Sequence, residues 1–305
     1  MTSRYLLLLA LLGAACHAKP RPESAESATK MWKQFSGENA LRHVQQLVEY
    51  GPRPPASEAI EKSRAYLTSQ LESFGWRVTK QSFTNETPRG QITFVNLIAT
   101  FSLNEDHPAA PMFLLCSHYD TKLFSTVRFV GANDGGSSTG LLVELARVLS
   151  LHPDFARKVE LAFFDGEEAY VNFTATDGLY GSRYFAKTLA DAGEVKRFRG
   201  GILFDMVGDR SLTITLPPDS PSELTLGIFA GAEKLKVRQH FTYLHSGMTD
   251  DHTPLNAVGI PTIDLIDFDY PPWHTPEDTM DKISAESLEI VGGVAAYYLS
   301  EAALK

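Results

Sequence analysis

The run ALRHVQQLVEYG, residues 40–51, places Leu41, Val44, Leu47 and Val48 at helical spacing, and Gly51-Pro52 ends it. A second amphipathic helix is predicted over 57–74 by SEAIEKSRAYLTSQLESFG and closed by Gly75. The period then changes. WRVTKQSFT and ITFVNLIATF are rich in β-branched and aromatic residues, and Pro88-Arg89-Gly90 between them predicts a hairpin or two neighbouring edge strands. Further along, apolar runs (PMFLLCSH, KVELAFFD, GILFDM, TIDLIDF) alternate with helical ones (GLLVELARVLSL, YGSRYFAKTLA, AESLEIVGGVAAYYLSEAAL). Strands that are apolar almost throughout must be covered on both faces. The pattern therefore predicts an α/β fold over residues 36–305: a single domain whose mixed, mostly parallel central sheet carries helices on both faces.

The first residues follow another rule. MTSRYLLLLALLGAAC has one early positive charge, Arg4, a short apolar stretch and then small residues, which predicts a secretory signal peptide over 1–15. The apolar stretch is too short to span a membrane as a helix. Cys16 after Gly13-Ala14-Ala15 resembles the acylated cysteine of a bacterial lipoprotein, although Gly13 stands where leucine is usual. The polar stretch behind it predicts a flexible tether over 16–35. The expected location is thus periplasmic or cell-envelope, as a lipoprotein, or secreted, with any membrane attachment made through a lipid on Cys16. Cys116, the other cysteine, sits in an apolar run and is expected to be a buried strand residue without a disulfide partner. A net charge of −9 argues against a nucleic-acid partner, which needs a basic face.

Acidic and imidazole groups collect at the ends of the predicted strands. His118 and Asp120 follow the first central strand, and Asp134 sits in the Gly/Ser-rich turn GANDGGSSTG. Asp165, Glu167 and Glu168 follow the second, and Asp205 the third; Asp250, Asp251 and His252 share a loop, and His274 follows the last strand. Singly, each has an ordinary reading: an aspartate caps the next helix, a histidine is a satisfied surface or core residue, a Glu-Glu pair is solvated. Together they point further, because ligands collect beyond the carboxyl ends of strands in open α/β sheets. Carboxylates gathered in a half-buried site repel and desolvate one another unless a cation compensates. Mixed carboxylate and imidazole donors suit zinc.

The motifs SHYDT, GANDGGSSTGLLVELAR, FFDGEEA, LYGSR, FDMVGD and WHT resemble those of the zinc aminopeptidase superfamily with an M28-type fold. Within it the chain is most similar to the glutaminyl-peptide cyclotransferases, or glutaminyl cyclases, from about Leu41 to the C-terminus. The resemblance implies a zinc-aminopeptidase-like domain with Asp134, Glu168 and His274 as metal ligands, and Glu167 as general acid/base beside the metal. It also implies an aspartate, Asp205, hydrogen-bonded to that glutamate, and Asp250 as another acidic member of the proton network. The expected reaction converts the N-terminal glutamine of peptides or proteins to pyroglutamate and releases ammonia. The alternative is a two-zinc aminopeptidase, which would add His118 and Asp205 as ligands, with Asp134 bridging. One zinc ion is expected for the cyclase and two for the peptidase.

All the two-zinc ligand types are present, so other features separate the readings. Residues 169–178 intervene between the Glu-Glu pair and the LYGS turn, a length that resembles the cyclases. Trp273, directly before His274, and Phe173, within the insert, are expected to wall the glutamine pocket. The chain also departs from that pattern: animal cyclases carry tryptophan where Phe173 stands, and a cysteine pair where Ser117 and Thr139 stand. Asp264 replaces a histidine of the last strand. His252 is expected to order its loop through a hydrogen bond, and Trp76 and Phe163-Phe164 to belong to the core.

Overall fold

The computed structural model describes residues 30–101 and 112–305. The expected signal peptide, Cys16 and most of the expected tether lie outside them. Two helices, α1 (Gly37–Tyr50) and α2 (Glu58–Ser73), open the domain, capped by the side chains of Ser36 and Ser57. The hairpin follows as β1 (Trp76–Thr87) and β2 (Gly90–Phe101), antiparallel along their whole length. Next come β3 (Met112–His118), α3 (Gly136–Ser150), the single turn α4 (Pro153–Ala156), β4 (Val159–Phe164), α5 (Tyr180–Ala192) and β5 (Phe198–Asp205). The remaining elements are β6 (Ile214–Leu216), α6 (Ser222–Lys234), β7 (Phe241–Tyr243), α7 (His252–Val258), β8 (Thr262–Ile266) and α8 (Ala285–Tyr298).

The strands form an eight-stranded sheet in the order β1-β2-β4-β3-β5-β8-β6-β7. Its centre, β4-β3-β5-β8, is parallel, and antiparallel pairings join the hairpin on one side and β6 on the other. Parallel strands all end on one edge. His118 closes β3, Asp165 follows β4 and Asp205 closes β5, so the topology alone brings these groups to one rim. Alternation along β8 divides the core: Ile263 and Leu265 join the larger cluster with α1, α3 and α8, whereas Leu203 and Cys116 on neighbouring strands face α5 and α7. Cys116, Trp76, Phe163 and Phe164 are core residues.

The folded part begins earlier than the expected boundary at 36. Residues 31–33 form a short turn, and Met31 and Phe35 are buried, Phe35 lying against Gly292 of α8. Three apolar side chains within five residues, Met31, Trp32 and Phe35, outweigh the polar composition of the stretch preceding them.

Arg53, in the connection between α1 and α2, is fully buried and fastens the rim. Its guanidinium donates to the carbonyls of Tyr119 (3.2 Å), Val130 (2.6 Å) and Gly131 (3.0 Å), joining both ends of the loop after β3. Its backbone exchanges hydrogen bonds with Thr121. Arg53→Met would leave those carbonyls buried without a donor, and is expected to destabilise the domain by about 3 kcal/mol in urea unfolding.

Candidate metal and catalytic site

The loop after β3 enters the site through a left-handed glycine. Gly135 has φ 71°, and a Cβ there would lie 2.7 Å from the Asp120 carbonyl oxygen and 2.8 Å from the His118 ring. Only glycine lets the turn close this tightly, and the closure sets Asp134 at the mouth of α3. Asp134 is then shared by two histidines: Oδ1 lies 3.3 Å from His118 Nε2, and Oδ2 lies 3.3 Å from His274 Nε2. Glu168 Oε1 is 3.2 Å from the same His274 nitrogen, and Asp205 Oδ1 is 3.2 Å from His118 Nε2.

Two overlapping ligand sets result, Asp134–Glu168–His274 and His118–Asp134–Asp205, each with donor atoms within 4.8 Å of one another. The donors fit a metal ion. Carboxylate oxygens and imidazole nitrogens converge, and Asp134 Oδ2, Glu168 Oε2 and His118 Nδ1 are buried without a hydrogen-bond partner. The electrostatics agree. Burial works against the charge of Asp134, yet His118 and His274 hold it below the usual carboxylate range. Burial lowers the proton affinity of His274, but Asp134 and Glu168 override it and push its pKa up to about 9. The cluster therefore attracts positive charge at the nitrogens where a metal would bind.

Glu167 belongs to neither ligand set. It is 6% exposed, and its pKa is raised well above the usual value, first by burial and then by Asp250, Glu168 and Asp251, with His118 opposing. Gly166, in the left-handed region, separates the Glu pair from β4, so both glutamates sit in a loop and not at the strand end itself. Asp120 accepts the backbone amides of both: Glu167 N to Oδ1 (3.1 Å) and Glu168 N to Oδ2 (3.4 Å). The same carboxylate lies 3.4 Å from His118 Nδ1. One aspartate thereby orients the base, a ligand and the neighbouring imidazole.

His274 is held from several sides. Its backbone has φ 56°, unfavourable for a non-glycine residue, so its surroundings must fix it there. Trp273 stacks on its ring at 4.1 Å between centroids, and Phe124 and Phe129 meet it edge-on, both at 5.8 Å. Trp273 itself remains 38% exposed and so lines the opening.

Two contributors escaped the sequence reading. Asp278, four residues after His274, accepts from the amides of Asn133 (2.8 Å) and Asp134 (3.1 Å) and from the Tyr270 hydroxyl (2.8 Å). Nothing in PEDTM marks it out, since its work lies in another segment. Lys122, the residue directly after SHYDT, donates through its backbone amide to Glu168 Oε1 (3.2 Å) and brings its ammonium 3.5 Å from Oε2. Ser117 and Thr139, at the positions of the missing cysteine pair, both donate to the His118 carbonyl, at 2.9 and 2.8 Å. Hydroxyls thus fasten the end of β3.

The expected hydrogen bond between Asp205 and Glu167 does not form: Asp205 Oδ1 lies 3.2 Å from His118 Nε2, and that imidazole takes up the carboxylate instead. Asp250, Asp251, His252 and Asp264 are all buried just beyond it. The expected loop-ordering hydrogen bond of His252 does not form. Neither ring nitrogen has a hydrogen-bond partner, because the ring faces carboxylates at 3.5 and 3.9 Å instead of a backbone group.

The insert after Glu168 is folded. The Asp177 carboxylate accepts the amides of Tyr170 (2.8 Å), Val171 (2.8 Å) and Asn172 (3.3 Å), and the Tyr180 hydroxyl (3.0 Å). Lys122 donates to the Ala169 carbonyl and lies 5.9 Å above the Phe173 ring, linking the insert to Glu168. Burial raises the proton affinity of Asp177, but these donors lower its pKa overall. Its stabilising effect is therefore complete above the ordinary aspartate range and is lost as pH falls through the depressed folded value. Asp177→Ala is expected to speed hydrogen exchange at amides 170–172 at least about tenfold while leaving β4 protected.

A family model described as Peptidase family M28 matches residues 96–299. A glutaminyl-peptide cyclotransferase of Dictyostelium discoideum is 30% identical over 81% of this chain and 80% of that protein. Among solved structures, a glutaminyl cyclase from an Acidobacteriales bacterium superposes with a TM-score of 0.80 at 30% identity, covering 93% of this chain and 98% of that one. A Zn-dependent exopeptidase from Parabacteroides distasonis gives a TM-score of 0.80 at 26% identity, covering 88% of this chain and 99% of that one.

Proposed function

The chain belongs to peptidase family M28, and we propose that it is a zinc-dependent glutaminyl-peptide cyclotransferase acting on peptides and proteins with N-terminal glutamine. The observation that carries the reading is the folded insert over 169–178, cross-tied by Asp177 and joined through Lys122 to Glu168. Phe173 on the insert, with Trp273, Phe124 and Phe129 around His274, supports a site with an apolar wall. Cyclisation needs such a wall, because water admitted to the scissile amide would hydrolyse it instead.

Asp134, Glu168 and His274 would hold the zinc. When bound, the metal supplies Lewis acidity to the side-chain carbonyl of the substrate glutamine. Glu167 lies outside the ligand set, and its raised proton affinity suits it to accept a proton from the attacking α-amine and pass one to the departing ammonia. Asp120 fixes the backbone of Glu167, Asp250 acts on Glu167 as an acidic member of the proton network, and Asp205 is coupled to it through Asp250. The nucleophile and the carbonyl belong to one residue, so orientation and charge stabilisation suffice. Trp273 and Phe173 would frame the glutamine side chain.

One zinc in this site is our assignment, with His118 serving as the partner of Asp205. The His118–Asp134–Asp205 set is the observation that favours the two-zinc aminopeptidase as the second reading. The N-terminal sequence supports export, with the domain released or held by a lipid on Cys16. No helix among the described residues is long and apolar enough to cross a membrane.

The test is incubation with two peptides, one beginning in glutamine and one in leucine. Pyroglutamate and ammonia are expected from the first and nothing from the second; release of free leucine without cyclisation would establish the peptidase. Glu167→Gln is expected to keep its zinc and lose at least about 100-fold in kcat. Glu168→Ala is expected to lose activity together with about one zinc per chain, by elemental analysis.

A further inference from the structure

Behind the catalytic cluster, beside Asp250 of the proposed proton network, lie two ionisable side chains that the reaction leaves unexplained, Asp264 and His252. Asp264 is at the centre of β8, on the face that Leu203, Cys116, Leu255 and Ile260 otherwise make apolar. It is fully buried, and neither of its carboxylate oxygens has a hydrogen-bond partner. His252, the first residue of α7, is 1% exposed with both ring nitrogens unpartnered, and its Nδ1 lies 3.5 Å from Asp264 Oδ2. Asp250 is 3% exposed; its Oδ1 receives the Asp251 amide at 2.5 Å, and its Oδ2 is left without a partner. Donor atoms of these three residues lie within 4.8 Å of one another.

An unpaired carboxylate in an apolar layer costs several kcal/mol, and a second one beside it adds repulsion. Among the described residues no lysine or arginine contact compensates here: the surroundings are mainly acidic, with Asp219 Oδ2 at 3.9 Å from His252 Nε2 and the buried Asp205 and Asp251 near Asp250, against which His118 sets one further imidazole. A solvent-facing ion pair with Asp219 would answer for Nε2 but leaves Nδ1, Asp250 Oδ2 and Asp264 unsatisfied.

We propose that Asp250, His252 and Asp264 form a second cation site, separate from the ligand sets that share Asp134, which takes a divalent transition ion such as zinc. One imidazole and two carboxylates give a mixed nitrogen and oxygen donor set of the kind zinc accepts. The site joins the first residue of α7 to the middle of β8, adding to the hydrogen bonds by which Asn256 ties the end of α7 to Thr262, and it fixes Asp250. The ion is structural: it touches no reacting atom, and its positive charge offsets the carboxylates gathered behind Glu167.

The test uses the full chain, loaded with zinc and freed of excess, with crystals measured for anomalous scattering at the zinc edge. A peak between Asp250, His252 and Asp264, in addition to the one at Asp134, is the expected result. Elemental analysis of Asp264→Asn and His252→Ala should show about one zinc fewer per chain than the wild type, and Glu168→Ala should retain that ion. The proposal is overturned if the wild-type map is empty between the three side chains, or if the folded Asp264→Asn and His252→Ala variants bind as much zinc as the wild type. The wild-type map decides even where a variant does not fold. Peptide turnover does not enter this result, so the site stands or falls apart from the cyclase reading.

Discussion

Buried negative charge drawn together without enough protein cation to balance it is the constraint on which this structure turns. Parallel strands deliver Asp165 and Asp205 to one rim, and the loops beyond them add Asp134, Glu167 and Glu168. Asp165 is answered by Arg64, with which it forms a buried ion pair. The others have two imidazoles and the ammonium of Lys122. A metal ion held by Asp134, Glu168 and His274, as proposed, would complete the balance and make the chemistry available, so that an electrostatic liability of the fold and its proposed catalytic centre would be one object.

Precision at that centre comes from carboxylates that never touch the metal ligands' donor atoms. Asp120, Asp278 and Asp177 each collect backbone amides from a loop, and each loop carries part of the site: the Glu pair, the Asn133-Asp134 turn, the insert around Phe173. Amides that a loop would otherwise leave unpaired are thus satisfied, and the loop conformation is fixed by the same bonds. The two cyclase-like features are tied in place, the long insert by Asp177 and the aromatic Trp273 by stacking on His274, as suits a site that must keep water from an amide.

Local pattern and residue type made much of this legible. The hairpin, the central strands and the long helices follow from periodicity, and the strand-end acids and histidines follow from topology. Residues 212–258 were harder: β6 and β7 have three residues each, too short for alternation to register, and their place is set by pairing with β8 and each other. Arg53, Lys122 and Asp278 were not marked because their partners lie in distant segments, where no local pattern reaches. The Glu-Glu pair reads in sequence as following the second central strand; the left-handed Gly166 places it in a loop, and Asp120 does the orienting. His252 reads in sequence as a loop residue, and only the fold sets it against Asp264 of the last parallel strand.

The central claim is that a bound cation holds this acidic cluster together. Thermal unfolding before and after exhaustive chelation, with metal content measured on the same samples, tests it most directly. Removal of the metal should lower Tm by more than about 5 °C, and restoring zinc should recover it. Metal-free protein that unfolds at the temperature of the zinc-loaded form would contradict the account.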